Sequence, residues 1–264
     1  LPGTGRASSP PGMSAQGGEF DFIVIGGGSA GYAAARTAAA LGLKTAVVDG
    51  AAELGGLCIL RGCMPSKALI ESANRALTLR RAEEFGLSAR TGAANIRAIR
   101  DRKRALIADF AGYRQKQLED GRFTLHRATA AFTGAHSLQL TPLDGSPSFQ
   151  IKSRAFCVAT GSVSSVPPIP GLEQTGYWTS DDVLDTDTLP ASCIVLGGGA
   201  IALEMAHYLD GVGTRVTLIQ RSPQLLTGTD PQAGDVVAKS FRHRGMDVHC
   251  GTQIEEVQRL DNGL

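Results

Sequence analysis

An α/β fold containing two strand–helix–strand units is predicted by three observations. The run Phe20-Asp21-Phe22-Ile23-Val24-Ile25 reads as a buried strand and ends in Gly26-Gly27-Gly28-Ser29-Ala30-Gly31 before an alanine-rich stretch. Ile194-Val195-Leu196 ends the same way, in Gly197-Gly198-Gly199-Ala200-Ile201-Ala202. Each glycine-rich turn is followed by a helical stretch and a second short apolar run, Lys44–Val48 in the first case and Arg215–Ile219 in the second. Strand, glycine turn, helix and strand in that order make a parallel βαβ unit of the Rossmann-like type.

The first unit spells G-x-G-x-x-G. Gly26 makes the turn, Gly28 lets the backbone approach a pyrophosphate, and Gly31 allows close helix packing. Ser29 and Ala30 open the helix, whose free N–H groups and positive dipole end suit phosphate. Asp49, twenty-three residues after Gly26, stands where an acid accepts hydrogen bonds from an adenosine ribose.

The elements between the two units follow in order. A segment with two cysteines, Gly55–Lys67, precedes a helix expected over about 65–81, and a second helix is expected over about 94–118. Short β-rich runs follow at Phe123–Phe132, Ser137–Thr141 and Phe149–Lys152, with Asp144-Gly145 as a turn signal. Ala155-Phe156-Cys157-Val158-Ala159 reads as a buried strand ended by Thr160-Gly161. Val166-Pro167-Pro168-Ile169-Pro170-Gly171 must be extended, because its proline spacing excludes helix.

In the second unit Ala202 replaces the third glycine, which the fingerprint tolerates. The same twenty-three-residue count from Gly197 reaches Gln220, followed by Arg221. An acid there would repel a 2′-phosphate, whereas Gln-Arg is neutral to positive and suits it. The first unit therefore reads as an FAD site and the second as an NADP site, with NAD possible. A helix at Gln232–His243 and a strand at Met246–Cys250 follow. Ile254–Leu260 alternates like another strand and runs into Asn262-Gly263, a hairpin-turn signal. The expected division is a disordered or tag-like 1–19, an FAD-binding domain at 20–171, a connection at 172–192 and an incomplete NAD(P)-binding domain at 193–264.

Composition bounds the function. Hydrophobic content of 42%, charged content of 19% and a net charge of +1 are ordinary for a globular chain and give no general reason to expect nucleic acid or an anionic membrane. A local basic run, Arg97, Arg100, Arg102, Lys103 and Arg104, lies among apolar residues at helical spacing, so most of its charges should point to solvent. No apolar run approaches the length of a membrane span, and the start lacks a signal peptide's pattern. The five cysteines do not resemble a secreted framework, and a cytoplasmic location is expected. Cys157, Cys193 and Cys250 read as small buried hydrophobes.

Cys58 and Cys63 differ. They stand with four residues between them, flanked by glycines and followed by Lys67, a segment built to make and break a disulfide. The competing readings are half of a metal site or two structural thiols, but no second Cys/His pair with zinc spacing exists in the chain. No metal ligand set is assigned.

Gly26–Gly31 with Asp49, Gly55–Lys67, Ala159-Thr160-Gly161 and Gly197–Glu204, in that order, resemble the class I pyridine nucleotide-disulfide oxidoreductases, and the likeness covers nearly all of residues 20–264. The resemblance implies that Cys58 is the interchange thiol facing substrate and Cys63 the thiol against the flavin, with a thiolate at Cys63 favoured by a helix N-terminus. It implies that Lys67 lies beside the flavin ring, paired with Glu204. It adds Gly56, Leu57, Ala130, Ala159, Thr160 and Gly161 to the flavin-binding residues, and Gly197, Gly199, Ala200, Ile201, Gln220 and Arg221 to the nicotinamide-nucleotide residues. The implied activity is electron transfer from NAD(P)H through FAD to the Cys58–Cys63 disulfide and on to a small-molecule disulfide or thiol-bound metal ion, in a homodimer.

Pro65-Ser66-Lys67 resembles dihydrolipoamide dehydrogenases and mercuric reductases, while Gln220-Arg221 departs from the NAD-using members. Leu57 replaces a usual threonine, and Ile59-Leu60-Arg61 replaces a usual Val-Asn-Val. Arg61 adds a positive charge beside the cysteines, suited to favour a thiolate or to meet an anionic substrate. Ala200 stands where some relatives place a tyrosine gate. The family's second FAD motif, dimerisation domain and His-Glu pair have no counterpart here, and His207 and His243 follow no matching motif. A fragment of a longer subunit is therefore expected. The competing readings are a short non-catalytic flavin-binding or redox-sensing module, and a flavin oxidoreductase whose cysteines are structural.

Overall fold

The computed structural model describes residues 18–89 and 92–260. The expected tail lies outside the described residues through position 17, as does the Asn262-Gly263 turn. The chain divides into two compact units, one running through Gly56 and resuming at Arg114–Gly161, the other Leu57–Tyr113 and the residues from Ser162 onward.

In the first unit, β1 (Glu19–Ile25), α1 (Ser29–Ala40) and β2 (Thr45–Val48) form the expected βαβ, with β1 and β2 parallel and in register from Phe22 against Thr45 to Ile25 against Val48. Strands β3 (Thr124–His126), β4 (Ala128–Gly134), β5 (Ser137–Pro142) and β6 (Phe149–Val158) complete a six-stranded sheet of order β3-β2-β1-β6-β5-β4. Because successive strand residues face opposite sides, Ile23, Ala46 and Val48 pack with Leu138, Leu140 and Ile151, while Val24 and Val47 pack with Tyr32 and Ala35 of α1 and with Leu118. All of these but Tyr32 are almost wholly removed from solvent. Each such valine, leucine or isoleucine side chain contributes about 1.5–3 kcal/mol.

The second unit comprises α2 (Gly56–Leu60, whose first residue belongs to the first unit), α3 (Cys63–Arg80), α4 (Ile96–Leu118, whose last turn belongs to the first unit), α5 (Leu172–Thr175), α6 (Ser180–Asp185), β7 (Ser192–Leu196), α7 (Ala200–Gly211), β8 (Arg215–Gln220), α8 (Pro231–His243) and β9 (Asp247–Cys250). Its three strands are parallel in the order β7-β8-β9. One core joins Leu69 and Ala73 of α3 to Leu203, Ala206 and Tyr208 of α7, Leu218 of β8 and Phe241 of α8. The α3–α7 approach needs a bare position: a Cβ on Gly211 would lie 2.6 Å from that of Ala73.

Several expectations are corrected. Phe123–Phe132 is not one strand: it breaks at Arg127 into β3, parallel to β2, and β4, antiparallel to β5. Phe149–Lys152 and Ala155–Ala159 are instead joined in one strand, β6, which ends at Val158 and is not fully buried there, Val158 being 63% exposed. The short helix α2 was unforeseen, and α3 begins at Cys63 rather than near residue 65. Ile254–Leu260 is not a strand: among the described residues it has no ladder, only Val257 N–H donating to Pro170 O at 2.9 Å. Cys157, Cys193 and Cys250 are half-buried rather than buried.

Most of the basic run is solvated as expected, with Arg97, Arg102 and Arg104 exposed, but Arg100 is half-buried and Lys103 buried, and the charges are partnered. Arg97 and Arg100 pair with Asp187, Lys103 and Arg104 with Asp185, and Arg102 donates to the carbonyl of Ala68 in α3. Lys103, only 8% exposed, is 2.8 Å from Asp185. Arg104 and then Lys103, both donating to it, hold the Asp185 carboxyl well below the usual carboxylate range. Asp185→Ala should therefore destabilise the protein by about 1–3 kcal/mol at neutral pH, because a buried ammonium loses its partner. Since the folded-state pKa is depressed, this stabilisation is present above the unfolded value of about 4 and fades as pH falls through the folded value. Urea midpoints should separate native and variant at pH 7 and converge in acid.

Candidate functional site

Three separated motifs of the first unit meet at the C-terminal ends of β1 and β6. Gly26, at φ +104°, leaves β1 so close to β6 that a Cβ would lie 2.2 Å from the carbonyl oxygen of Ala159 and 3.2 Å from Cα of Thr160. Ala159 N–H donates to Ile25 O at 2.8 Å, and Gly161 turns away at φ +77°. Gly28 is met by Gly56, itself at φ +73°, where a Cβ would stand 2.3 Å from Cα of Gly28. A Cβ on Gly31 would lie 1.8 Å from Gly26 O. The turn thus brings together the glycine fingerprint, Ala159-Thr160 and Gly56 as bare backbone at the start of α1. Gly28 caps α1 without a side-chain hydrogen bond, leaving N–H groups of Ser29 and Ala30 at its open end. A bare cradle at a helix N-terminus fits the pyrophosphate of a dinucleotide.

Asp49 holds this turn. Its buried carboxylate accepts from Gly27 N–H at 2.7 Å and Ala51 N–H at 2.9 Å, with Arg127 at 3.4 Å. Three protein partners occupy most of the lone pairs, so the acid organises the loop. Its own backbone pairs with His126 and Ala128. Ala130 lies two residues further along β4, half-buried opposite Leu140. Arg127 had no sequence signal, yet it also donates to the carbonyls of Ala51 and Ala52.

In the second unit Cys58 lies within α2, half-buried, and Cys63 is the exposed first residue of α3. Leu57 precedes Cys58 and is 44% exposed. The link is tight: a Cβ on Gly62 would be 3.0 Å from Leu57 O and 3.3 Å from Cα of Cys58. Gly62 gives α3 no side-chain cap, so the first N–H groups of an eighteen-residue helix open beside Cys63. One turn on, Lys67 Nζ donates to Glu204 Oε1 of α7 at 2.5 Å and lies 3.4 Å from Ser66 Oγ. The structure thus brings Lys67 and Glu204 together from positions 137 residues apart.

The second glycine turn is looser than the first. Gly197, at φ +114°, donates to Ile219 O at 2.8 Å, and a Cβ there would be 3.7 Å from the Ala202 methyl. Ala202 thus carries its methyl at the position where the first turn has Gly31. Gly199 caps α7 without a side-chain bond, followed by Ala200 and the 64% exposed Ile201. Gln220 packs against Gly198 as Asp49 does against Gly27, but its amide donates into the following loop, to Thr227 Oγ1 at 3.2 Å and weakly to Gln224 O. Arg221 is exposed and enters no ion pair among the described residues.

That loop is held by Leu226, a non-glycine residue at φ +53°, whose N–H donates to Gly198 O at 2.8 Å. Left-handed leucine is uncommon, and its sequence carries no signal of it. His207 serves packing: Arg244, which can only donate, bonds its Nδ1 at 2.7 Å, so its Nε2–H donates to Asn74 of α3 at 2.8 Å. Burial first, and then Arg244, push its pKa down. No cluster of three or more metal-ligating side chains occurs among the described residues.

A family model described as pyridine nucleotide-disulphide oxidoreductase matches residues 20–264. The chain is 34% identical over 248 residues to a dihydrolipoyl dehydrogenase of Chlorobaculum tepidum, covering 93% of this chain and 52% of that protein. It is 33% identical over 251 residues to a mercuric reductase of Shigella flexneri, covering 94% and 44% of the two chains. It is 30% identical over 246 residues to a glutathione reductase of Burkholderia cepacia, covering 93% and 53%. Among solved structures, the Cu(II) complex of the HOCl-induced flavoprotein disulfide reductase RclA from Escherichia coli superposes with a TM-score of 0.77 at 26% identity, covering 92% of this chain and 52% of that one. The chain spans about half the length of these relatives. With two glycine-turn units and an intervening cysteine pair, and with the family model matched over residues 20–264, the chain belongs to the pyridine nucleotide-disulphide oxidoreductases.

Proposed function

We propose that this chain passes electrons from NADPH, through bound FAD, to the Cys58–Cys63 pair and on to a small-molecule disulfide or thiol-bound metal ion, within a cytoplasmic homodimeric reductase. The observation that carries this reading is the join between α3, which bears Cys63 and Lys67, and α7, which opens at the second glycine turn. Lys67 and Glu204 close that join at 2.5 Å while remaining 59% and 29% exposed. A bridge so exposed contributes at most about 1 kcal/mol to stability. Its placement one turn beyond Cys63 supports a role in positioning the ammonium.

Bound FAD would supply the two-electron relay between nicotinamide and disulfide. The bare backbone at Gly26, Gly28, Gly31 and Gly56 would take its pyrophosphate, and Asp49 its ribose. Cys63, exposed at the head of α3, is the thiol left for the flavin side. Cys58 acts outward: its thiolate attacks a substrate sulfur, and one thiol leaves. Cys63 then attacks the mixed disulfide, the second thiol leaves, and the Cys58–Cys63 bond re-forms. Arg221, exposed and unpaired by carboxylate, would meet the 2′-phosphate beyond the second glycine turn.

In the FAD-loaded protein Cys63→Ser should trap one aryl thiol from an aromatic disulfide as a stable mixed disulfide at Cys58, while Cys58→Ser should form such an adduct much more slowly. Intact-mass measurement over time decides, and equal rates would reverse the assignment. Arg221→Ala should lower the preference for NADPH over NADH about tenfold or more, the loss expected for a charge-assisted bond. Unchanged discrimination in equilibrium titrations would remove NADPH as the preferred donor.

A further inference from the structure

Arg61 lies in the loop between the two cysteines, where α2 passes into α3. Its backbone is fixed, since Arg61 N–H donates to Leu57 O at 2.9 Å. Its side chain is not: it is 69% exposed, and its ion pair with Asp181 of α6 spans 3.7 Å, with Asp181 itself 44% exposed. Elsewhere in this unit the bridge that secures α4 is shorter and more enclosed, Lys103 to Asp185 at 2.8 Å with the lysine 8% exposed. A long pair in solvent adds little to stability. Packing therefore gives no reason for an arginine here, whereas its chain position gives one. Arg61 is three residues from Cys58 and two from Cys63, so its Cα lies within about 7–11 Å of both by chain reach alone. With the lengths of the two side chains added, an anion held by the guanidinium lies within roughly one to two Debye lengths, ~10–20 Å, of the attacking sulfur.

We propose that Arg61 is a specificity-determining residue that draws a carboxylate-bearing disulfide to the Cys58–Cys63 pair, exchanging its loose contact with Asp181 for the substrate carboxylate. The inference rests on the redox reading of that pair. A planar guanidinium offers a carboxylate two parallel N–H donors, and Asp181 shows that the side chain already reaches one. At about 10 Å in water, a dianion is enriched roughly two- to fourfold over a neutral molecule, and more where donor and carboxylate touch.

The test uses the full 264-residue chain, reduced with a phosphine that is then removed, and two aromatic disulfides, dianionic dithiobis-nitrobenzoate and neutral dithiodipyridine. In each case one thiolate of the pair attacks, the reagent's S–S bond breaks and one aryl thiolate leaves. The second cysteine displaces the other aryl thiolate, forming the protein disulfide. The pair loses two electrons and the reagent gains two; the two thiol protons go to solvent with the dianionic reagent and onto the thiopyridone products with the neutral one. A Cys58→Ser/Cys63→Ser variant supplies the contribution of the other cysteines for subtraction. The readout is the ratio of the two rate constants, dianionic over neutral.

Arg61→Ala should lower that ratio about two- to fourfold or more, Arg61→Lys should restore most of it, and Asp181→Asn should raise it. Added salt should lower the ratio in the native chain and leave it flat in Arg61→Ala. A parallel fall in both rate constants, with the ratio unchanged, means that Arg61 acts only on the thiols and overturns the inference alone. No reaction of the pair with either reagent overturns the redox reading and this inference with it.

Discussion

A phosphate can sit against a strand-to-helix turn only where the backbone has no side chains in the way, and the first unit is built around that constraint. Four glycines meet at one place, and at three of them a Cβ would fall less than 2.4 Å from backbone atoms: Gly26 against Ala159, Gly31 against Gly26 and Gly56 against Gly28. No rotamer relieves a clash between backbone and Cβ. The pairing of β1 with β6, the entry into α1 and the start of α2 therefore depend on the same bare surface that would receive a dinucleotide. Asp49 locks it from beneath by accepting from Gly27 N–H.

The second unit repeats the topology under weaker constraint. Its turn keeps Gly197 in the left-handed region, but α7 stands far enough off for the Ala202 methyl. What the turn lacks in close backbone approach is supplied by Leu226, bonded to Gly198 O from a strained conformation, and by the Gln220 amide. Where the first unit uses an acid as the loop's organiser, the second uses a neutral amide, and Arg221 stays exposed beside it. The two copies thus differ electrostatically at corresponding places.

The cysteine segment belongs by packing to the second unit. Gly211 lets α3 approach α7, Asn74 and His207 join them midway, and Lys67 with Glu204 closes the end nearest Cys63. Small residue, polar pair and ion pair are spread along one helix–helix contact, so the head of α3 is held with its first N–H groups open. Arg102, reaching the carbonyl of Ala68, braces the other side of the same helix.

Much of this was legible in the sequence because it depends on local patterns. Apolar runs, glycine spacing and the alanine-rich stretch determine both βαβ units, since strand, turn and helix propensities act over a few residues, and the closely spaced Cys58 and Cys63 stand out by spacing alone. The rest required tertiary structure. Phe123–Phe132 reads as one strand, but which neighbour each half pairs with is a long-range choice, and it sends β3 and β4 to opposite edges of the sheet. Ile254–Leu260 alternates like a strand, yet a strand exists only where a partner offers a ladder. The basic run reads as solvated, and three of its five charges are, but its ion pairs with Asp185 and Asp187, more than eighty residues away, are invisible to local pattern. Arg127 and Leu226 act through contacts that no periodicity reports. Local chemistry alone determined which glycine turns and which thiols this chain carries. Only the folded backbone decided what lies beside them, because side-chain partners distant in sequence are chosen by packing.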